Sequence, residues 1–296
     1  CALPICVYMN YYKTATKRKS TRDFKEKTVP RNILNELTEY FKVCKRLIPE
    51  IDVEMTILDP KVCPNMNGCA GYEDFLIEAP HYILLTSEEA DNYMLNAGFI
   101  GEDLVLKLTD LGISTCWITI NDTLKLKERL RITTDKLPVA LIAFGYENAI
   151  TTINRLDIVN QSNVTLKKRT NYEAPKLYVE DAIYSEDMGI KADNSTLDHY
   201  QDLYQALVAA CCAPSFLNRQ PYRFIIKDGL FMVAALEDYK TDENDYYLNL
   251  GILMLNFYGV LSERSGAYGK WEIKAPSTEI DKPEGEIGRA SCRERV

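Results

Sequence analysis

Apolar positions recur along this chain with two periods. Val53–Asp59, His81–Ser87, Ser114–Ile120 and Ala140–Tyr146 are short β-branched or apolar runs bounded by turn or polar residues, and each predicts a strand. Between them the spacing lengthens to a helical one. Pro30 opens a segment whose Ile33, Leu34, Leu37, Tyr40, Phe41 and Cys44 share one face, and proline suits a helix start. A longer helix is predicted from Asp91 to Leu111, ending at the C-cap Gly112. Asn121-Asp122 caps a shorter one that carries Leu124, Leu126 and Leu130. Strands interleaved with helices predict a layered domain of α+β or α/β type.

The second half repeats the theme. A helix is expected over Leu197–Cys212, strands over Tyr222–Lys227 and Leu230–Leu236 around the hairpin signal Asp228-Gly229, and a helix over Tyr246–Arg264. That last helix is apolar almost all round, so it should be deeply buried. Tyr93-Met-Leu-Asn-Ala-Gly98 aligns with Tyr246-Tyr-Leu-Asn-Leu-Gly251 at an offset of 153, and Gly112 and Trp117 align with Gly266 and Trp271 at 154. The two tryptophans therefore take the same place in two copies of one helix-turn-strand unit. The expected organisation is a first repeat over residues 12–150, a polar connecting segment over 151–180 centred on Asn160-Gln-Ser-Asn163, and a second repeat over 181–285. Trp117 and Gly145 lie 28 residues apart, an interval that holds the last helix and strand, whereas only 14 residues follow Trp271 before Glu286, so the second copy is expected to lack its final strand and the natural chain to run on.

Composition narrows the classes. With 46% apolar and 26% charged residues in 296, the chain is neither disordered nor fibrous. A net charge of −8 argues against nucleic acid as a partner. No run approaches the roughly 20 apolar residues of a membrane span. The greasiest stretch, Gly251–Leu261, is interrupted by Asn256. Cysteines sit inside apolar runs such as Val208–Ala213, the habit of reduced thiols in a cytoplasmic protein. Cys63 and Cys69 flank a turn with no second cysteine pair, and His81 and His199 lack ligand partners at helical spacing, so no metal site is expected. The chain starts at Cys1 rather than at methionine, so its true beginning is expected to be missing, and its first residues carry no signal-peptide pattern. Glu286–Val296 back-translates to a common short-read library adapter in one frame, so it is left out of the fold.

Two clusters carry chemistry. Lys17-Arg-Lys-Ser-Thr-Arg-Asp-Phe24 concentrates cations and hydroxyls ahead of a helix in an acidic protein. Arg18, Lys19, Ser20 and Arg22 offer the donors that one phosphate group needs, although a charge run of this kind is also an ordinary solvated turn. Cys212-Ala-Pro-Ser-Phe-Leu-Asn-Arg-Gln-Pro-Tyr222 lies between a helix and a strand. Its Ser215, Asn218 and Gln220 can read the edge of a flat heterocycle or simply cap a turn.

Together these clusters resemble the flavin-dependent nitroreductases. Arg18-Lys-Ser-Thr-Arg22-Asp-Phe is similar to that family's N-terminal Arg-Arg-Ser-x-Arg-x-Phe, and Ala213-Pro-Ser-Phe-Leu-Asn-Arg-Gln-Pro-Tyr222 to its Pro-Ser-x-x-Asn-x-Gln-Pro-Trp. Ala79-Pro-His-Tyr-Ile-Leu-Leu and Leu111-Gly-Ile-Ser-Thr-Cys-Trp117-Ile resemble further segments. The resemblance implies an α+β, α/β/α sandwich and FMN as cofactor. It implies NAD(P)H as reductant and a nitroaromatic, quinone or similar small-molecule electron acceptor. In the family's homodimers the phosphate motif comes from one subunit and the Pro-Ser-x-x-Asn motif from the other. Here each half keeps the motif the other lacks: Ile190–Ser195 has no arginines, and Lys45–Asp52 has no counterpart of the serine, asparagine and glutamine. That pattern implies a monomer acting as an intrachain pseudo-dimer of two tandem degenerate repeats, the second truncated, with one flavin site. Carried over, Arg18, Lys19, Ser20 and Arg22 would hold the phosphate and ribityl, and Pro214, Ser215 and Asn218 would line the ring with Gln220 nearby. Lys168 and Arg169 would supply the family's basic pair. Ile118-Thr119-Ile120 replaces the family's glycine pair by the flavin N5 edge. The cofactor carries the redox chemistry, so no protein group is assigned as general acid or base. The alternative is a flavin-binding or structural relative without turnover.

Overall fold

The computed structural model describes residues 9–72, 75–148, 152–160, 163–170, 174–193, 201–227, 230–236, 238–264, 271–274 and 288–295. In chain order the first half runs α1 (Tyr11–Lys17), α2 (Arg31–Phe41), β1 (Val53–Leu58), α3 (Cys63–Met66), β2 (His81–Ser87), α4 (Tyr93–Asp110), β3 (Ser114–Ile118), α5 (Thr123–Arg129) and β4 (Leu137–Gly145). An antiparallel pair, β5 (Thr152–Asn160) and β6 (Asn163–Thr170), follows. The second half runs α6 (Val179–Ala182), β7 (Ile183–Ser185), α7 (Gln201–Cys211), β8 (Tyr222–Lys227), β9 (Leu230–Leu236), α8 (Glu243–Arg264), β10 (Glu272–Lys274) and β11 (Gly288–Arg295). The fold is mixed α+β, as the pattern of elements predicts.

The first sheet has the order β1-β2-β4-β3, with every neighbour antiparallel. Both of its faces are covered, so every residue of β2 is buried. Ile83 and Leu85 pack toward Leu37 of α2 and Ile100 and Leu104 of α4, while Tyr82 and Leu84 pack toward Met66 of α3 and Leu126 of α5. The second sheet has the order β10-β11-β9-β8-β7, with β7 parallel to β8 and the other pairs antiparallel. Phe231 and Val233 of β9 face α7 and α8, and Met232 faces the other side with Met188.

The two long helices meet between the sheets. A Cβ on Gly98 of α4 would collide with the Leu248 carbonyl oxygen of α8, and a Cβ on Gly251 of α8 would collide with the Leu95 carbonyl oxygen of α4. The contact is reciprocal, and glycine at both positions lets the backbones touch. The same pairing of positions recurs one residue row away. Asn96 Oδ1 accepts from the Leu47 and Ile48 amides at 3.1 and 3.0 Å, and Asn249 Oδ1 accepts from the Phe216 amide at 3.0 Å.

Three features differ from the sequence-based expectation. Helix α1, which was not foreseen, packs Tyr11 into the bare face of Gly259. The connecting segment contains an antiparallel strand pair, β5 with β6, whose register sets Leu156 against Leu166 and Ile158 against Val164. The tail set aside from the fold includes β11, which pairs with β9 and β10 where β4 pairs with β2 and β3 in the first sheet. Neighbouring strands offer main-chain N–H and C=O groups to any extended backbone, whatever its side chains. Among the described residues no helix is long and apolar enough to cross a membrane.

Candidate functional site

The basic turn is positioned by the helix before it and the sheet beside it. Asn10 caps α1 by accepting from the Lys13 amide at 2.7 Å, and the chain leaves the helix extended at Arg18. Ser20 then pairs with Thr115 of β3, the Thr21 amide donates to the Thr115 carbonyl at 2.9 Å, and the Lys25 amide donates to the Tyr146 carbonyl at 2.8 Å. Extended backbone sends successive side chains to opposite sides. Arg18 turns inward, with 4% of its side chain exposed, and Lys19 turns outward to Glu147 at 2.8 Å.

Arg18 meets a carboxylate of α4. Its Nε lies 3.9 Å from Glu102 Oε1, and its Nη1 donates to Ser20 Oγ at 3.4 Å. Glu102 is fully buried and accepts from Trp117 Nε1 at 3.1 Å. That bond exists because Gly101 leaves room for the indole, which a Cβ would strike. Burial pushes the Glu102 carboxyl up to about 7, while Arg18, the Trp117 N–H, Lys176 and Asn256 act in the opposite direction. Arg18 Nε and Glu102 Oε1 are both buried without a hydrogen-bond partner. Such atoms are uncommon in a folded interior, and here they leave donor capacity on a buried guanidinium.

The Pro-Ser-Asn bend follows α7. Leu217, Asn218 and Gln220 all take positive φ, at 46, 58 and 51°, a region that non-glycine residues adopt only when their surroundings enforce it. Ser215 Oγ accepts from the Gln220 amide at 3.0 Å, and Asn249 holds Phe216 as described. The rest of the clamp comes from the connecting segment. Asn218 Nδ2 and Gln220 Nε2 donate to the Pro175 carbonyl at 2.7 and 3.2 Å, and Gln220 Oε1 accepts from the Leu177 amide at 2.9 Å.

Lys176 joins the two clusters. Its Nζ donates to the Ala213 carbonyl at 3.0 Å and to Asn218 Oδ1 at 3.3 Å. Burial lowers its pKa to about 8, and the Arg18 charge adds to that, while Cys212 and Glu102 act against it. The Cys212 thiol, raised by burial, is in turn drawn down by Lys176 and Arg18. Two further contacts tie the halves nearby. Thr119 Oγ1 donates to Asp245 Oδ2 at 2.9 Å, and the Tyr72 and Phe216 rings lie 5.9 Å apart.

The structure thus gathers Arg18, Ser20 and Asn218 around Lys176 and Glu102. Ser215 and Gln220 shape the bend, Pro214 is buried within it, and Lys19 is engaged by Glu147 at the surface. Arg22 is half-buried and close enough to Cys116 to draw its thiol pKa down. Lys168 and Arg169 lie on β6 opposite Asn154 and Ile153, and their side chains lie outside the described residues. His81 Nε2 accepts from the Val29 amide at 3.2 Å, a structural role as expected, while His199 lies outside the described residues. Among the described residues no cluster is suited to a metal ion. Sequence reading missed Glu102 and Lys176. A glutamate in the apolar run Gly98–Leu106 was a usable signal, and so was a lysine fixed behind Pro175.

Fold and site define an α+β layered protein in which a basic turn of one half and a strained bend of the other converge on a buried, cation-rich junction. A family profile described as "Putative TM nitroreductase" matches residues 10–259, and the chain belongs to that nitroreductase family. Among solved structures, one described as a "putative nitroreductase" from Thermotoga maritima superposes with a TM-score of 0.57 at 18% identity, covering 97% of this chain and 94% of its own, which shows a shared fold. A nitroreductase family protein from Clostridium novyi has a TM-score of 0.42 at 21% identity over 47% of this chain and 86% of its own. An FMN-dependent nitroreductase from Clostridium difficile has 0.40 at 19% identity over 46% and 87%. No curated protein matches the chain.

Proposed function

We propose that this chain is an FMN-dependent oxidoreductase of nitroreductase type, with NAD(P)H as reductant and a nitroaromatic, quinone or similar small molecule as acceptor. The observation that carries the reading is the buried junction itself. Arg18 is buried and Lys176 half-buried, the one buried carboxylate Glu102 acts on both, and Arg18 Nε has no hydrogen-bond partner. Burying like charges together is unfavourable unless an anion joins them. The phosphate of FMN suits that excess, and the aromatic and amide-rich Pro214–Gln220 bend suits a flat ring. When bound, FMN supplies hydride and electron transfer between a nicotinamide and the acceptor. Arg18, Ser20 and Lys176 would hold its anionic part. Ser215 fixes the bend by taking the Gln220 amide. Asp245 anchors Thr119, so that the loop after β3 stays closed on the second half.

The reading includes a monomer in which the two repeats act as a pseudo-dimer in the cytoplasm. The reciprocal Gly98 and Gly251 contacts, the paired roles of Asn96 and Asn249, and the matching orders β1-β2-β4-β3 and β8-β9-β11-β10 support it. One observation favours a relative that binds flavin without turnover: the Asn218 and Gln220 amides are both spent on Pro175–Leu177. Purified protein loaded with FMN and mixed anaerobically with NADH or NADPH separates the two. Bleaching of the flavin absorbance supports the oxidoreductase, colour that never bleaches supports the relative without turnover, and failure to take up FMN defeats both.

A further inference from the structure

Glu102 stands where an incoming anion has to compete. It faces Arg18 from the turn after α1, the Trp117 N–H from β3, Lys176 from the connecting segment and Asn256 from α8. Its Oε2 is taken by Trp117, while Oε1 points at Arg18 Nε at 3.9 Å without a hydrogen bond. That is the geometry of a loose counter-ion, too far for a strong pair and too buried to be screened by water. By holding the Nε edge, Glu102 also aims the rest of the guanidinium toward Ser20.

We infer that Glu102 is a positioning residue and resident counter-anion: it orients Arg18, and it takes up a proton from solvent when the anionic group of the ligand binds, so that binding and protonation are coupled. This inference rests on the flavin reading above. The sign follows from the charges. Below about pH 7 Glu102 is neutral and the junction carries two positive charges. As pH rises Glu102 ionises, and near pH 8 Lys176 begins to lose its proton. The net positive charge that attracts an anion therefore falls across this range. The ligand does not oppose the trend, because the second ionisation of a phosphate monoester is complete by then, with pKa about 6.

The test is FMN binding followed by quenching of flavin fluorescence from about pH 6.5 to 9, with riboflavin as the phosphate-free control. Lys176→Arg keeps the second cation charged throughout, so its remaining pH dependence belongs to Glu102. In that background the FMN affinity is expected to fall by up to about tenfold per pH unit above pH 7, one proton being taken up per ligand. Adding Glu102→Gln, which keeps an acceptor for Trp117, is expected to remove that slope and to tighten binding at the alkaline end. The same slope with and without Glu102→Gln overturns the inference and leaves the flavin reading standing. No FMN binding by any variant at any pH overturns both. If Glu102→Gln fails to fold, Trp117→Phe serves instead. It removes a donor that favours the carboxylate, so the slope should begin at higher pH, and an unmoved onset overturns the inference.

Discussion

Replacing Gly251 by alanine in the middle of α8 tests how tightly the two halves are locked. On helix propensity alone the change should stabilise by about 1 kcal/mol. The new methyl, however, would meet the Leu95 carbonyl oxygen and lie 2.8 Å from the Phe99 amide nitrogen, both backbone atoms of α4. Neither can rotate away, so the helices must separate by roughly 1 Å, and a gap of that size forfeits a quarter to a half of each nearby van der Waals contact. Leu95, Phe99, Leu250 and Leu253 belong to the core cluster that spans this crossing. Overpacking costs about 1–3 kcal/mol, and with two backbone atoms struck the upper end applies, so a net loss of about 2 kcal/mol remains after the propensity gain. In a chain of 296 residues that lowers Tm by about 3 °C. Urea denaturation of the wild type, Gly251→Ala, Gly98→Ala and the double variant measures it. The two single losses should be similar, because the contacts are reciprocal. The double variant should lose less than their sum, because helices already parted admit the second methyl cheaply. Gly112→Ala is the control: its φ of 75° is strained for alanine, but nothing lies within 4 Å of the new methyl, so it should lose about 1 kcal/mol with no coupling to position 251. A Gly251→Ala protein as stable as the wild type would refute the reasoning.

Other changes should have equally definite outcomes. Burial and the nearby Asp242 charge raise Asp245 to about 7, against the Thr119 hydrogen bond. Its contribution to stability is therefore full below its ordinary range near pH 4 and declines as pH rises to about 7, so Asp245→Asn should raise Tm at pH 8 and leave it unchanged at pH 4. Asp238 behaves oppositely. Hydrogen bonds from Arg219, Thr241 and the Lys240 amide hold it down at about 2, so its contribution is present above pH 4 and lost as pH falls toward 2. Arg219 is partly exposed, so Asp238→Asn should lose no more than about 1 kcal/mol in urea melts at pH 7, and nothing at pH 2. Gln220→Ala leaves the Leu177 amide without its acceptor and should lose about 1–3 kcal/mol, with partial rescue by Gln220→Glu.

Much of this molecule was legible in its residues. The strands of the first sheet and the long central helices follow from hydrophobic period, and the Asn96/Asn249 and Gly98/Gly251 correspondence from direct self-comparison. What period cannot show is where a polar side chain in an apolar run finds its partner. Glu102 reads as an interruption of α4 until β3 carries Trp117 over Gly101 and the turn after α1 brings Arg18 beside it. Lys176 sits in a polar stretch that resembles a linker. It is half-buried because it bonds to the bend in which Leu217, Asn218 and Gln220 take positive φ, a geometry that the sequence pattern does not announce. The basic pair sought at Lys168-Arg169 followed from the resemblance, whereas the cation placed beside Arg18 lies eight residues beyond Lys168. The strand role of Gly288–Arg295 was illegible for a simpler reason: it is fixed by main-chain pairing with β9 and β10, which leaves little mark on side-chain pattern.

Crystals of the full chain grown with FMN would test most directly whether the early basic turn and the late Pro-Ser-Asn bend form one cofactor site. The expected density places the phosphate within hydrogen-bond distance of Arg18, with the ring against Pro214–Asn218 and Lys176 between them. FMN bound elsewhere, or Arg18 still closed on Glu102 beside an empty junction at saturating FMN, would contradict it.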